Sequence, residues 1–306
     1  MFQHLLVPLD GSRMSESALP AAAGLAARTG ASLTLVHVIE KNAPSAVHSE
    51  RHLVDAGEAE GYLAEVAKRP LLAGLRVDIH VHTAEVRDVA ASITQHTAEM
   101  APDLVVMSTH GRGSARRLIF GAIAQQVIAL GETPVLLVRP SEHAAAADRP
   151  AADAGQWRTI LAPLDGDPAH EKGLPIAAEL AAAFACRLHL LMVTPTLGEL
   201  GGSQAAAGMF LPGATRIKLE MDSAGARDYL AERAAELARA GVQVGTEASR
   251  GDPAQAIIRA ARKLSAALVV MSTHGRAGTD AFWAGSVAAR VVARASVPLL
   301  LVPLRA

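Results

Sequence analysis

A stretch of nine residues that occurs twice places the strongest constraint on how this chain can fold. The segment Leu-Val-Val-Met-Ser-Thr-His-Gly-Arg begins at Leu104 and is repeated letter for letter from Leu268. Each copy starts as a short apolar run, which is typical of a strand buried on both faces, and then passes into small polar residues and glycine. The duplication therefore predicts two copies of one strand that ends in a loop.

A further glycine follows each copy at the same distance. Nine residues separate Gly111 from Gly121, and nine separate Gly275 from Gly285. Each later glycine opens a segment rich in alanine and valine, which predicts a helix. Because the loop lies between a strand end and a helix start, its backbone N–H groups can receive a phosphate. The sequence therefore predicts an anion-binding loop in each half.

The rest of the chain follows the same duplication. Predicted strands, given in pairs of first and second half, are 5–9 and 159–164, 33–39 and 188–193, 76–82 and 242–248, 104–108 and 268–272, and 135–138 and 298–302. Predicted helices between them are 15–28 and 171–185, 58–68 and 227–239, and 88–98 and 254–263. Strands that alternate with helices predict an α/β fold with a parallel sheet and right-handed crossovers. The glycine- and proline-rich segment 195–216 is longer than its counterpart and is interpreted as a loop.

Length and pattern together predict two domains. A chain of 306 residues is long enough for two cores of ordinary size. The segment 141–156 has no strand pattern and contains a run of four alanines, so it is interpreted as a linker. The expected domains are therefore residues 1–140 and 157–306, each a doubly wound, five-stranded parallel-sheet domain.

Bulk composition narrows the classes of partner. The formal net charge of -1 provides no general field for nucleic acid or for an anionic membrane. No apolar run approaches the roughly 20 residues of a membrane span. The N-terminus has no pattern of a secretion signal, and Cys186 is the only cysteine, which excludes an internal disulfide and a cysteine-based metal cluster. We therefore expect a cytoplasmic protein with neither a nucleic-acid nor a membrane partner.

An aspartate follows the first strand of each half. In open α/β sheets ligands bind at the carboxyl ends of the strands, where the strand order reverses. If strands one and four are neighbours, Asp10 and Asp165 face the same ligands as the glycine loops, an arrangement that suits a nucleotide. Both aspartates are also ordinary turn residues, so a structural role and a ligand or Mg²⁺ role stay open. Neither G-x-G-x-x-G after the first strand nor G-x-x-x-x-G-K-[ST] occurs, so any nucleotide site uses another pattern.

That pattern resembles the universal stress protein family, whose nucleotide-binding members carry G-x2-G-x9-G-[ST] after the fourth strand. The second half has Ser272-x2-Gly275-x9-Gly285-Ser286, which departs only at its first position. The first half has Ser108-x2-Gly111-x9-Gly121-Ala122 and departs at both ends. The resemblance covers nearly the whole chain twice, so the chain is identified as a tandem member.

The resemblance implies a fold and a ligand. The fold is similar to that of adenine nucleotide alpha hydrolases, with strand order 3-2-1-4-5 in each domain. The two domains would form a pseudo-dimer in which their fifth strands approach, as in homodimers of single-domain members, and a further homodimer is left open. The implied cofactor is ATP, with or without Mg²⁺. In the second half the implied ATP contacts are Pro163, Leu164, Asp165, Val193, Met271, Ser272, Gly275, Gly285, Ser286 and Val287.

The same positions in the first half differ in kind at two places. They are Pro8, Leu9, Asp10, Val38, Met107, Ser108, Gly111, Gly121, Ala122 and Ile123. Ser286 can cap the following helix and bond a phosphate oxygen, whereas Ala122 can do neither. The turn after strand three also differs, since the first half has 84–86 as Ala-Glu-Val where the second has 251–253 as Gly-Asp-Pro. We therefore expect the second half to bind ATP better.

Some residues of the loops keep two interpretations. Arg112 and Arg276 directly follow the first loop glycines, where they either contact phosphates or lie in solvent. His110 and His274 have no partner Asp or Ser placed for a catalytic triad, so a structural role is favoured. The leading interpretation is an ATP-binding stress-response module that acts as a nucleotide-dependent sensor or adaptor. The alternatives are a slow ATP hydrolase on the same scaffold and a scaffold that binds no ligand.

Overall fold

The fold, taken from a computed structural model, is α/β and is built twice from one pattern of elements. The residues that the structure describes are 1–42, 46–47, 50–51, 53–109, 122–140, 157–200, 206, 209–273 and 286–304. Within them the chain divides into two units. The first contains residues 1–140 and the C-terminal strand, and the second contains residues 157–273 and 286–297. The predicted linker 141–156 lies outside the described residues, and the domain limits 1–140 and 157–306 stay a prediction.

The first repeat alternates strands and helices as expected. Its strands are β1 (His4–Pro8), β2 (Ser32–Glu40), β3 (Ala46–Val47), β4 (Glu50–Arg51), β5 (Val77–Val86), β6 (Leu104–Ser108) and β7 (Val135–Val138). Its helices are α1 (Arg13–Glu16), α2 (Leu19–Thr29), α3 (Ala56–Ala67), α4 (Val89–Met100) and α5 (Ala122–Leu130). A single 3₁₀ turn, Pro70–Leu72, precedes β5, and β3 and β4 form a separate antiparallel pair.

The second repeat continues the series. Its strands are β8 (Thr159–Leu164), β9 (Arg187–Thr194), β10 (Val244–Arg250), β11 (Leu268–Thr273) and β12 (Leu299–Pro303). Its helices are α6 (Gly173–Ala183), α7 (Pro212–Arg239), α8 (Pro253–Lys263) and α9 (Val287–Arg294). Short 3₁₀ turns lie at Pro168–His170 and Leu197–Glu199.

The strand order of the first repeat confirms the predicted topology. In the first repeat the order is β7-β6-β1-β2-β5, which is 3-2-1-4-5 read from the other edge, and all neighbours are parallel. In the second unit the order is β10-β9-β8-β11, again parallel throughout. The last strand, β12, belongs to the first unit, where it pairs antiparallel with β7 and aligns Leu299 with Leu137. Both strands of this pair lie in the first unit, and the pseudo-dimer of the two domains stays a prediction.

The central strands owe their place to unbroken apolar sequence. Leu5, Leu6 and Val7 of β1 are fully buried, and β6 and β11 are buried along most of their length. Helices on both faces make such burial possible, because parallel strands are joined by helical crossovers. The third strands, β5 and β10, lie at sheet edges and show mostly half-buried or exposed residues. Polar residues on these edges are therefore compatible with the fold.

Both repeats anchor a helix through a tyrosine and a glutamate. Tyr62 of α3 donates a hydrogen bond to Glu16 at 2.9 Å, and Arg69 donates to both oxygens of that carboxylate at 2.8 and 2.9 Å. Tyr229 of α7 donates to Glu171 in the same way. Burial, followed by the charge of Glu16 and its hydrogen bond, raises the pKa of Tyr62 above its ordinary value, so the phenol keeps its proton and stays a donor.

Three details of the predicted elements were wrong. The continuous helix expected at 15–28 is divided into α1 and α2, since Pro20 lies in the first turn of α2 and lacks the N–H that a helix interior requires. The loop expected at 195–216 contains the start of α7, which extends from Pro212. Each helix after the third strand is capped by an aspartate, Asp88 for α4 and Asp252 for α8. The counterpart of Asp252 is thus Asp88 and not Glu85, because β5 extends to Val86.

The helices that the structure describes include none whose length and apolar character suit a membrane crossing.

The contact between Tyr62 and Glu16 supports a stability prediction. Tyr62→Phe should lower the free energy of unfolding by about 1.5 kcal/mol, because it removes a hydrogen bond to a charged acceptor. Urea denaturation followed by circular dichroism measures this change. As a control, Glu65→Gln alters a carboxylate of α3 whose side chain is 76% exposed, and it should shift stability by less than about 0.5 kcal/mol. Equal effects of the two substitutions would contradict the anchoring role.

Candidate functional site

The strand order reverses between β1 and β6, and a cavity lies at the carboxyl ends of these strands. The ladder between them covers only two residue pairs, Leu5 with Leu104 and Leu6 with Val105, whereas β1 and β2 pair over five. The two strands therefore stop pairing before their carboxyl ends. A crevice at this place in an α/β sheet is the usual ligand site.

The cavity brings together many of the residues that the sequence predicts for the first repeat. Its volume is about 140 Å³, close to that of the engineered cavity of about 150 Å³ that holds benzene, so the described walls leave space for one ring-sized group. The predicted residues that line it are Pro8, Leu9, Asp10, Val38, Met107, Ser108 and Ile123. Ala122 is exposed at the start of α5 and is not among the residues that line the cavity. The role of the seven lining residues in binding stays a prediction.

Asp10 is held in a turn at the edge of the cavity. Its Oδ1 accepts a hydrogen bond from the backbone N–H of Ser12 at 2.9 Å and another from the Ser12 hydroxyl at 2.6 Å. Gly11 between them has φ of 88°, a left-handed conformation that favours glycine. The hydroxyl of Ser15 lies 3.3 Å from the backbone nitrogen of Asp10 and also lines the cavity. The turn role and the ligand role are thus compatible, since the turn fixes the carboxylate beside the cavity.

His37 is a lining residue that the sequence analysis missed. Its Nδ1 lies 2.7 Å from the carbonyl oxygen of Leu9, and its Nε2 lies 3.1 Å from that of Leu53. The ring therefore joins the end of β1 to the segment before α3 and forms part of the cavity wall. The apolar residues on both sides of His37 in β2 could have indicated a buried position, but no sequence signal identifies the partners of its ring.

The helix α4 also contributes to the cavity, which the sequence did not indicate. Val89 and Ile93 line it, and they lie four residues apart on one face of the helix. Both side chains are apolar, as is Met107 on the β6 side of the cavity. The cavity is therefore largely apolar, with Asp10 and Ser15 among its polar residues.

The second repeat places its predicted residues on equivalent elements. Pro163 and Leu164 end β8, Val193 lies near the end of β9, and Met271 and Ser272 lie near the end of β11, which is the neighbour of β8. The ladder between β8 and β11 again covers two residue pairs. The predicted contacts of strands one and four thus meet at one edge of the sheet, as in the first repeat.

Asp165 has a partner that the sequence analysis did not identify. Its Oδ1 accepts the backbone N–H of Asp167 at 3.0 Å, and its Oδ2 lies 2.6 Å from Nδ1 of His170. The hydrogen bond to Asp165 raises the pKa of His170 above its ordinary value, with smaller contributions from the charges of Asp165 and Asp167. In the first repeat the residue at the place of His170 is Ser15. The signal that could have found this pair is the spacing of five residues across a turn.

Two serines of the second repeat hold helix starts. Ser272 Oγ accepts the backbone N–H of Gly173, the first residue of α6, at 3.0 Å. Ser286 is the N-cap of α9, and its Oγ accepts the N–H of Ala289 at 3.1 Å. The expected capping role of Ser286 is therefore observed. Each hydroxyl still carries a proton that it can donate to a ligand.

The phosphate half of the predicted site is only partly described. Val287, the first residue of α9, is half-buried beside Ser286. The loop residues Gly111, Arg112, Gly121, Gly275, Arg276 and Gly285 lie outside the described residues, as do His110 and His274. Their predicted roles stay predictions.

Comparison with known proteins agrees with the repeated architecture. The family model described as the universal stress protein family matches this chain twice, at residues 1–139 and 156–303. The chain belongs to the universal stress protein family. Both matches include the strand-one and strand-four residues that were predicted as contacts in each repeat.

Individual relatives of this universal stress protein cover either the whole chain or one half. A universal stress protein of Mycolicibacterium smegmatis is 27% identical over 305 residues, which cover 97% of this chain and 96% of that protein. Universal stress protein Sll1654 of Synechocystis sp. is 33% identical over 139 residues, which cover 45% of this chain and 86% of that protein. The crystal structure of a universal stress protein from Archaeoglobus fulgidus has a TM-score of 0.69 at 17% identity and covers 98% of this chain and 96% of its own, which shows the fold.

The pair of Asp165 and His170 supports a pH prediction. Asp165→Asn should lower the pKa of His170, because the carboxylate that favours the protonated imidazole is removed. A raised pKa means that the pair stabilises the fold below the unfolded-state pKa of about 6.5, and that this contribution is lost as pH rises through the folded-state value. Titration of the His170 ring by NMR measures the shift in both proteins.

Asp167→Asn is the matched control for this titration. Asp167 Oδ2 lies 3.8 Å from His170 Nε2. Neutralising Asp167 should therefore lower the pKa of His170 less than neutralising Asp165 does. A larger effect of Asp167→Asn, or an unchanged pKa in Asp165→Asn, would contradict the assignment.

Proposed function

We propose that this chain binds ATP in the crevices at the carboxyl ends of strands one and four, and that it acts as a nucleotide-dependent sensor or adaptor in a stress response. The single observation that carries the proposal is the cavity of the first repeat, which is lined by seven of the predicted contact residues. A mostly apolar cavity with a few converging polar groups is the usual form of a small-molecule site.

The adenine ring suits the enclosed part of this crevice. A planar ring can lie between the apolar side chains of β6 and α4, here Met107 and Ile93, while backbone groups at the strand ends bond its edge. Asp10 at the rim is placed for a ribose hydroxyl, since a carboxylate accepts hydrogen bonds from hydroxyl groups. Recognition of the base through backbone groups explains why no side-chain fingerprint for adenine appears in the sequence.

The phosphates suit the starts of α5 and α9. The N-terminus of a helix favours an anion through its free N–H groups and its dipole. At α9 the Ser286 hydroxyl adds a donor, whereas Ala122 adds none at α5. Arg290 on α9 forms an ion pair with Asp252 at 2.6 Å. The negative charge of Asp252 is therefore compensated by Arg290. We infer that the second repeat binds ATP more tightly than the first.

In this proposal Mg²⁺ binds together with the phosphates of ATP. Each carboxylate oxygen of Asp165 already accepts one hydrogen bond, from Asp167 and from His170. We therefore assign Asp165 to orienting the turn and the ribose, and we place Mg²⁺ on the phosphate oxygens, where it usually binds.

The proposal also covers the cellular location of the protein and the assembly of its domains. We place the protein in the cytoplasm, and we propose that its two domains form an intramolecular pseudo-dimer. A further homodimer of the tandem chain would follow the arrangement implied for single-domain members. The net charge of -1 favours neither nucleic acid nor an anionic membrane as a partner.

A pair of reciprocal substitutions tests the nucleotide site. Ser286→Ala should weaken ATP binding about 3- to 10-fold at the tighter site, because one hydrogen bond to phosphate is lost. Ala122→Ser should strengthen the weaker site by a similar factor, because it adds the missing hydroxyl. Isothermal titration calorimetry with ATP and Mg²⁺ measures both sites, and titration with adenosine is the control that should respond to neither substitution.

The ATP titration, together with an assay of phosphate release, separates the competing functions. Absence of ATP binding by the unaltered chain would favour a scaffold without ligand. Steady release of phosphate over many turnovers would instead favour a slow ATP hydrolase. Stoichiometric binding without turnover is the result that the sensor function requires.

A further inference from the structure

Three histidines meet in the first repeat, and none of them is among the residues that line the cavity. His80 and His82 lie two residues apart on β5, so they share one face of this edge strand. His96 lies on α4 and is 3% exposed. Each of the three offers a ring nitrogen, and these atoms all lie within 4.8 Å of one another.

The rings contact one another directly. His96 Nε2 and His82 Nδ1 are 3.1 Å apart, and the ring centre of His96 lies 4.7 Å from that of His80 and 5.0 Å from that of His82. Both ring pairs are close to edge-on. The nitrogens of three imidazoles thus converge on one small volume between a strand and a helix.

One of these nitrogens is buried without a hydrogen-bond partner. His80 Nε2 is shielded from solvent and has no partner among the described residues. Leaving a buried polar atom unsatisfied usually costs about 1–3 kcal/mol, so such an atom in a folded protein requires an explanation. A ligand that this nitrogen can coordinate would supply one.

A carboxylate orients the most buried of the three rings. His96 Nδ1 lies 3.2 Å from Glu99 Oε2, and the other oxygen of Glu99 accepts a hydrogen bond from Gln95 at 2.7 Å. An ionised carboxylate only accepts, so His96 donates from Nδ1 and directs the lone pair of Nε2 toward the other histidines. Metal-binding histidines usually have such a carboxylate partner on the ring nitrogen that does not bind the metal.

We propose that His80, His82 and His96 form a binding site for a divalent first-row transition metal ion, of which Zn²⁺ is the representative, and that Glu99 is a positioning residue. Imidazole nitrogen is a preferred ligand of Zn²⁺, Ni²⁺ and Cu²⁺. Three imidazoles leave the fourth position of a tetrahedral site to water.

The observed spacing is close to what coordination requires. Zinc–nitrogen bonds of about 2.0–2.1 Å in a tetrahedron place two donor atoms roughly 3.4 Å apart. His82 and His96 already meet this spacing at 3.1 Å. The widest pair, at most 4.8 Å apart, would have to close by up to about 1.4 Å, which rotation of side chains on β5 can supply. On metal binding, Nδ1 of His82 carries no proton, because a metal ligand must offer a lone pair.

The second repeat shows that the fold does not require this cluster. Val36 on β2 pairs with His80, and the equivalent Leu191 on β9 pairs with Glu247. Lys263 on α8 lies as far after its helix cap as Glu99 does on α4, and its Nζ lies 3.1 Å from Glu247. An ordinary ion pair therefore occupies the place of the histidine cluster.

The test uses the full chain without a histidine tag, freed of metal and without nucleotide. Zn²⁺ is titrated in competition with a chromogenic chelator, and Co²⁺ is titrated by absorption spectroscopy. We expect one tightly bound equivalent and a tetrahedral Co²⁺ spectrum. His80→Gln and His96→Gln should each weaken the affinity at least 100-fold, and Glu99→Gln should weaken it about 10-fold while one equivalent still binds.

A matched histidine serves as the control. His189 on β9 is also buried with an Nε2 that has no hydrogen-bond partner among the described residues, but it is not part of the cluster. His189→Gln should leave Zn²⁺ affinity unchanged, and equal losses in this variant and in His80→Gln would overturn the proposal.

NMR of the unaltered chain avoids any effect of substitution on folding. Zn²⁺ should perturb the ring signals of three histidines, and assignment should identify them as His80, His82 and His96. Absence of a stoichiometric effect, or perturbation of other histidines alone, would overturn the proposal. ATP binding is not part of this experiment, so its result is independent of the proposed nucleotide function.

Discussion

Parallel pairing between the first and fourth strands is the constraint on which the rest of the structure depends. The ladder between β1 and β6 covers only two residue pairs, and so does the ladder between β8 and β11. Strands that pair briefly and then separate create a crevice at the point where the helices change face. In the first repeat Asp10 of the turn, Ser108 at the strand end and Ile123 of α5 all line the cavity at this place.

The two repeats show how one backbone accepts different chemistry. The position of His37, which joins two carbonyl oxygens in the first repeat, is occupied by Met192 in the second, where its methyl group lies against Gly166. Gly166 has φ of 88°, so both the conformation and the contact with Met192 favour glycine at that turn. The backbone turn is thus kept while the side chains that cover it differ.

The fold could be predicted from sequence because its signals are local and repeated. Apolar runs such as β6 and β11 consist of adjacent residues, and the duplication repeats each of them. The site was only partly predictable, since His37, Val89 and Ile93 enter the cavity through packing between elements distant in sequence. The break before α2 was missed because Pro20 was included in a continuous helix, and the early start of α7 was missed because Pro212 was assigned to a loop; each proline lies in the first turn of its helix.

The histidine cluster illustrates the same limit and links the two proposals. His80 and His96 are sixteen positions apart, and only the packing of α4 on β5 brings them together. On α4, Val89, Ile93 and His96 follow one helical face, so one helix contributes to both the cavity and the proposed metal site. A ligand that restricts this helix at one site alters the cost of ordering it at the other. Any such coupling is reciprocal by linkage, so a metal that tightens nucleotide binding is itself bound more tightly when nucleotide is present.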